Sequence, residues 1–405
     1  MRKKIPVADL RLGMYVAELD RPWTETPFKF QGFVLEQPEQ IEILQKHCRV
    51  VFVDPERSEV LARLADNTQP LKSSVDLSRT KVTKYVEQAP IEREFPTAVG
   101  HHGSTAAIMR EAVLAPLKAG GTLDASRVNE AVAGLTDSVL RNPDAMLLFT
   151  QLKEKSDYTH SHALDCSVYM TVFGRFLEMS REDVGLLGHL GLLQDIGKVR
   201  APTALLEKRE RLTEEELGIL RKHVEHSAEM LRETPQLPAN LPALALLHHE
   251  RHDGSGYPNR LRSAEIGLFG SIAGIVDTFA ALTSRRPYAE ALAPSTALSI
   301  LYKHRGTLFD GYLVEHFIRC IGIFPIGSIV ELNSGETGLV IAQNLAKRLQ
   351  PRVMVIRDAS GAALKPQKLI DLSREPKAAS GEPYRIKRTL EYGRVSIPTD
   401  TLFAA

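Results

Sequence analysis

Leu190-Gly191-Leu192-Leu193-Gln194-Asp195-Ile196 is an apolar run that closes on an amide and a carboxylate, with Gly197 directly after it. Ser180 and Asp183, three residues apart, have the form of a capping box, so the run is predicted to be the C-terminal half of a helix ended by Gly197. A carboxylate buried among such side chains costs several kcal/mol unless a cation meets it. Asp195 therefore needs a partner, either Lys198 three residues on or a metal ion.

The same oddity recurs downstream. Leu244-Ala245-Leu246-Leu247 leads into His248-His249-Glu250, followed by the turn His252-Asp253-Gly254-Ser255-Gly256-Tyr257-Pro258. Asp277 is embedded in Ile272-Ala273-Gly274-Ile275-Val276 and Thr278-Phe279, where it meets either a hydroxyl of a neighbouring helix or a cation. Thr213 and Glu216 mark the start of a further helix, whose Leu217, Leu220, Val224 and Leu231 form an inward stripe. His223 lies on that stripe and His226 falls about 60° off it. His162 follows Tyr158-Thr159 at the start of another helix.

Eight of the thirteen histidines fall between residues 160 and 252. His162, Asp195, His223, His248, His249 and Asp277 thus bring imidazoles and carboxylates from several helices out of apolar surroundings. That mixture suits Fe, Mn, Zn or a similar divalent ion, and a carboxylate can bridge two such ions. A binuclear site polarises a phosphate oxygen and makes hydroxide near neutral pH, which phosphodiester hydrolysis requires.

Around this centre the 405 residues divide into segments. Residues 1–56 alternate short β-like runs (14–19, 32–35, 49–53) with the amphipathic stretch 38–47, a small α/β module. Residues 57–104 are polar and irregular and are expected to form a linker. Helical periodicity dominates 105–325, the main all-α domain. Runs at 328–332, 337–342 and 352–357 predict a small β appendage over 326–405. Lys plus Arg number 51 against 50 Asp plus Glu, so no charge excess points to a long nucleic acid or an anionic membrane. The odd, scattered Cys48, Cys166 and Cys320 fit reduced thiols. No apolar stretch reaches the ~18 residues of a spanning helix and no signal h-region opens the chain, so a cytoplasmic protein is expected.

From Tyr158 to Ile323 the ordered motifs resemble the HD-GYP family of HD-domain metal phosphohydrolases. The resemblance rests on Tyr158-Thr159 with His162, Leu192 to Lys198, Leu212-Thr213 to His223, His248 to Gly256-Tyr257-Pro258, Val276-Asp277, Ala281 to Ser284 with Arg286-Pro287-Tyr288, and Phe309-Asp310. The N-terminal module also resembles an uncharacterised domain that often precedes HD-GYP domains. The resemblance implies cyclic di-GMP as substrate, opened to the linear dinucleotide and in some members on to GMP, and two divalent ions, Fe or Mn first, with Zn, Ni or Mg as alternatives. It implies His162, Asp195, His223, His248, His249 and Asp277 as ligands, and Lys198 and Arg286 on substrate phosphates. The loop carrying Tyr257 is implied in substrate access or in contact with diguanylate cyclase domains. A homodimer is a reasonable assembly.

The chain departs from the family pattern at four places. Gln194 stands where the family has the histidine of the HD pair, and Gln194 is left as a weak ligand. Tyr158 occupies the position of a third-metal glutamate, Ala280 that of a second aspartate and Ser271 that of an arginine. These departures bear on catalysis more than on fold. An active phosphodiesterase, a degenerate receptor for cyclic di-GMP or a partner protein, and a phosphohydrolase of another nucleotide all fit this pattern.

Overall fold

Ile91, Phe95, Ala98, His102 and Thr105 recur at helical spacing and are buried along one side of a helix spanning Ile91–Ile108. The expected linker over 57–104 therefore ends earlier than its composition suggests. Pro90 occupies the N-cap position and Pro96 lies inside the helix, in its second turn, where it removes one intrahelical N–H donor. Glu94, buried on this helix, accepts from Arg141 Nε and Nη2, each at 2.9 Å, and from Ser138 Oγ at 2.8 Å. That network ties the helix to Ala125–Arg141. Residues 82–89 run across the domain, with Thr83 N donating to Glu178 O and Gln88 N to Arg141 O.

The computed structural model describes residues 3–12, 14–21, 33–35, 38–54, 82–152, 158–208, 210–284, 291–390 and 402–403. It divides into two units, Met1–Leu71 and Lys72–Ala405. In the first, strands Lys3–Pro6, Val50–Asp54, Tyr15–Leu19 and Phe33–Val34 form an antiparallel sheet in that spatial order. The helix Pro38–His47 contributes Leu44 to a core with Val16, Leu35, Val51 and Val53.

The second unit is mostly helical. Helices Tyr158–Phe176, Gly267–Thr283 and Gly311–Ile321 meet through Phe173, Phe279 and Phe317. The Phe317 ring stands edge-on to each of the other two at 5.2 Å, a favoured aromatic geometry. This cluster fixes the two helices that carry His162 and Asp277. By length and composition the segment Ser263–Thr283 is apolar enough to cross a membrane, contrary to the expectation that no stretch is. It is a core element here, with 67% of its apolar window buried.

At the C-terminal end, five antiparallel strands pair in the order Ala363–Asp371, Arg352–Arg357, Thr337–Ala342, Ile329–Leu332, Ile386–Thr389. The first and last of these lie outside the three expected strands. They form the two edges, whose exposed residues give weak hydrophobic alternation. The sheet is fastened to the helices by Gln343 N on Asp144 Oδ2 at 3.2 Å and by Arg352 on Glu92 at 2.6 Å.

Candidate metal centre

The helix led by Ser180 runs Arg181–Leu193, with Ser180 Oγ accepting from Asp183 N at 3.1 Å. It ends at Gln194, earlier than the expected stop at Gly197, and Asp195 opens a 3-10 turn over Ile196–Arg200. The physical reason is the approach of the helix that begins at His223. A Cβ at Gly197 would collide with the backbone of His223 and Ser227, and Gly197 N donates to Ser227 Oγ at 2.8 Å. Asp195 is thereby set at a bend that faces His223.

The helix expected to run through His223 is likewise two helices, Glu214–Arg221 and His223–Arg232. At the break, Lys222 N–H and the His223 ring both bond the Leu220 carbonyl. The capping box of Thr213 and Glu216 is present. His248 and His249 follow the short helix Leu241–Ala245. His162 and Asp277 lie in Tyr158–Phe176 and Gly267–Thr283. All six expected ligands converge.

The two oxygens of Asp195 face different imidazoles. Oδ1 lies 3.1 Å from His223 Nε2 and 3.5 Å from His248 Nε2, whereas Oδ2 lies 3.7 Å from His162 Nε2 and 2.7 Å from Lys198 Nζ. Asp277 is divided in the same way, with Oδ1 at 3.0 Å from His162 Nε2 and Oδ2 at 3.9 Å from His249 Nδ1. Ligand atoms of Asp195, His223, His248 and His249 fall within 4.8 Å of one another, and those of His162, Cys166 and Asp277 form a second such group.

The donor set fits divalent cations. His223 Nδ1 is 2.7 Å from Leu220 O and His248 Nδ1 is 2.8 Å from Ala245 O. A carbonyl only accepts, so each Nδ1 carries a proton, and Nε2 is the nitrogen that would ligate a cation. The two Nε2 nitrogens are 3.4 Å apart and both face Asp195 Oδ1, the placement of side chains that would surround a shared cation. Burial, then the neighbouring His248, pushes the His249 imidazole well below its usual range, which keeps it neutral and able to ligate. Burial raises the Asp195 carboxyl, but Lys198, His223 and His248 outweigh it and hold it well below the carboxylate range. Asp277 follows the same pattern, with His162 as the main counterweight.

Gln194 also reaches the centre. It is 1% exposed, its Nε2 lies 3.4 Å from Asp277 Oδ1, and its Oε1 is buried without a hydrogen-bond partner. Arg286 and the side chain of Tyr158 lie outside the described residues. Cys166 was missed by the reading of the sequence, although it stands four residues after His162 on the same helical face. Its Sγ lies 3.6 Å from His162 Nε2.

The family profile for the HD domain matches residues 148–313. A profile for a domain of unknown function (DUF3391) matches 2–128, and one for a KOW domain associated with HD domain matches 329–379. A cyclic di-GMP phosphodiesterase of Pseudomonas aeruginosa is 32% identical over 380 residues, covering 92% of this chain and 90% of the relative. The chain belongs to the HD-GYP family of metal-dependent phosphohydrolases. Two further relatives match over shorter stretches. The cyclic di-GMP phosphodiesterase response regulator RpfG of Xanthomonas campestris is 40% identical over 144 residues, 35% of this chain and 38% of its own length. The 3'3'-cGAMP-specific phosphodiesterase 2 of Vibrio cholerae is 31% identical over 169 residues, 42% and 32% respectively.

The Gly256-Tyr257-Pro258 loop of this HD-GYP chain is held against the centre by Glu250, a residue whose role the sequence left unassigned. Its carboxylate accepts from Asn259 N at 2.7 Å and Leu261 N at 2.9 Å. A Cβ at Gly256 would collide with the backbone of His249, Glu250 and Arg251. The loop is thus pressed onto the histidine pair, and the Tyr257 ring stacks on His249 at 4.8 Å, with the Arg221 guanidinium 5.3 Å from the Tyr257 ring centre. Tyr257 and Lys198 therefore flank the ligand cluster on its accessible side, both partly exposed.

Proposed function

We propose that the chain hydrolyses cyclic di-GMP to the linear dinucleotide in the cytoplasm, at a site holding two divalent ions. The observation that carries this reading is the division of Asp195, whose two oxygens face separate imidazole groups. His223, His248 and His249 would hold one ion and His162 and Asp277 the other, with Asp195 between them. Bound there, the ions supply a hydroxide near neutral pH and charge for the phosphoryl oxygens. Lys198, whose ammonium is kept protonated against burial by Asp195 and Asp277, binds a phosphate of the substrate. Tyr257, stacked on His249 and partly exposed, offers its ring for contact with a base or ribose. Exposed Asp253, Ser255, Asn259 and Arg260 on the same loop are the surface we assign to diguanylate cyclase domains; a homodimer is the assembly proposed.

The test is product chromatography of cyclic di-GMP incubated with manganese- or iron-loaded protein. Linear dinucleotide from the wild type, and none from Asp195→Ala, is the expected result. A second reading, a receptor that binds without turnover, is favoured by the Gln194 amide, which offers Asp277 a donor where an additional metal ligand would stand. Calorimetric binding of cyclic di-GMP with no product would replace the enzyme by the receptor.

A further inference from the structure

We propose that Cys166 is a metal ligand, completing with His162 and Asp277 the half of the centre that lacks the His248-His249 pair. The inference rests on the reading that this centre binds divalent metal. Cys166 is fully buried, and its Sγ is 3.6 Å from His162 Nε2, which in turn lies 3.0 Å from Asp277 Oδ1. A tetrahedral ion with M–S near 2.3 Å and M–N near 2.05 Å holds sulfur and nitrogen about 3.6 Å apart, so the pair already has the spacing of two ligands on one ion.

A second observation points the same way. Gln194 turns its amide nitrogen toward Asp277 Oδ1 and leaves Oε1 buried without a partner. The atom this amide turns to Asp277 is therefore a hydrogen-bond donor and not a ligand. Without Cys166 the local donors are one imidazole and two shared carboxylates; with it they become a mixed N, O and S set. Metal uptake then replaces the S–H bond with an M–S bond and releases the proton to solvent, with no oxidant or reductant consumed. Burial and the two carboxylates disfavour a free thiolate here, and a cation reverses that preference because a coordinating thiol is deprotonated.

A thiolate ligand has a chemical consequence. It selects Zn, Co or Fe over the harder Mn and Mg, so this half of the centre discriminates between metals. The competing role for Cys166 is a small core filler where the helix packs on Gly191, whose Cβ would collide with the Cys166 and Ser167 backbone. A filler has no spectroscopic signature.

Cobalt(II) titration of the full chain, followed by near-ultraviolet absorption and elemental analysis, separates the two roles. An intense sulfur-to-cobalt charge-transfer band is expected in the wild type, in Cys48→Ala and in Cys320→Ala. The band should be lost in Cys166→Ser and Cys166→Ala, with cobalt affinity at least tenfold weaker and manganese affinity little changed. X-ray absorption of the cobalt-loaded wild type adds a reading that depends on no variant, one sulfur neighbour at about 2.3 Å. Bound cobalt with only nitrogen and oxygen neighbours overturns the assignment while leaving the metal centre intact. No cobalt uptake at all overturns the metal reading beneath it.

Discussion

Gln194 Nε2 lies 3.4 Å from Asp277 Oδ1, so an amide hydrogen approaches a carboxylate at the edge of the ligand cluster. The same carboxylate is 3.0 Å from His162 Nε2. Replacing the amide by imidazole puts a nitrogen lone pair where a donor now stands, and imidazole outcompetes a neutral amide for first-row transition metals. Gln194→His is expected to tighten metal binding by about tenfold, roughly 1.4 kcal/mol, as measured by competition with a chelating dye. Unchanged affinity would mean that position 194 does not contribute to the centre.

Lys198 Nζ sits 2.7 Å from Asp195 Oδ2, and the two residues should separate binding from chemistry. Lys198→Ala is expected to weaken cyclic di-GMP binding by about tenfold through loss of a charge-assisted phosphate contact. Asp195→Ala should lower metal content and abolish turnover. Calorimetry and elemental analysis of both variants provide the check; a Lys198 variant with wild-type affinity would remove the phosphate role.

Glu250, 3% exposed, binds two backbone N–H groups of the Tyr257 loop. Glu250→Ala leaves both donors without their acceptor, at a cost of about 3 kcal/mol. Urea denaturation should report that loss, and the effect on KM for cyclic di-GMP should exceed the effect on metal stoichiometry. A variant of unchanged stability would show that the loop is held by its other contacts.

The order of the helical motifs could be read from the sequence because each ligand interrupts an apolar run, as at Leu193-Gln194-Asp195 and Leu247-His248-His249. What remained hidden has physical causes. The helix end at Gln194 depends on Gly197 meeting the backbone of His223, a contact between segments far apart in the chain. The break at Lys222 depends on a ring nitrogen sharing the Leu220 carbonyl, which periodicity cannot register. Cys166 stood among apolar residues and read as a reduced thiol; only the convergence of His162 with Asp277 distinguishes it. Ile91–Ile108 was obscured by Pro96, Gly100 and Gly103, although its buried stripe was present.

Asp144 joins the helical part to the C-terminal sheet, and burial, then Glu87, pushes its carboxyl up to about 7, against the Gln343 N–H, Arg175 and Arg352. The folded protein therefore holds this proton more tightly than the unfolded chain, whose aspartate titrates near 4. The stabilising contribution is complete below about pH 4 and is lost as pH rises through about 7. Asp144→Asn keeps an oxygen for Gln343 N and removes the charge. The variant is expected to be more stable above pH 7, by on the order of 2 kcal/mol, and to flatten the change in melting temperature between pH 4 and 7. An unaltered pH profile would contradict the buried, protonated carboxyl.

Metal content tests the central claim most directly. Protein purified anaerobically and analysed for elements is expected to carry two divalent ions per chain, and restoring metal to a chelated sample at about a hundredfold over Kd should return roughly 2.7 kcal/mol of stability for each ion bound. A fully folded chain that contains no metal, and whose melting temperature does not move when manganese, iron or cobalt is added, would contradict it.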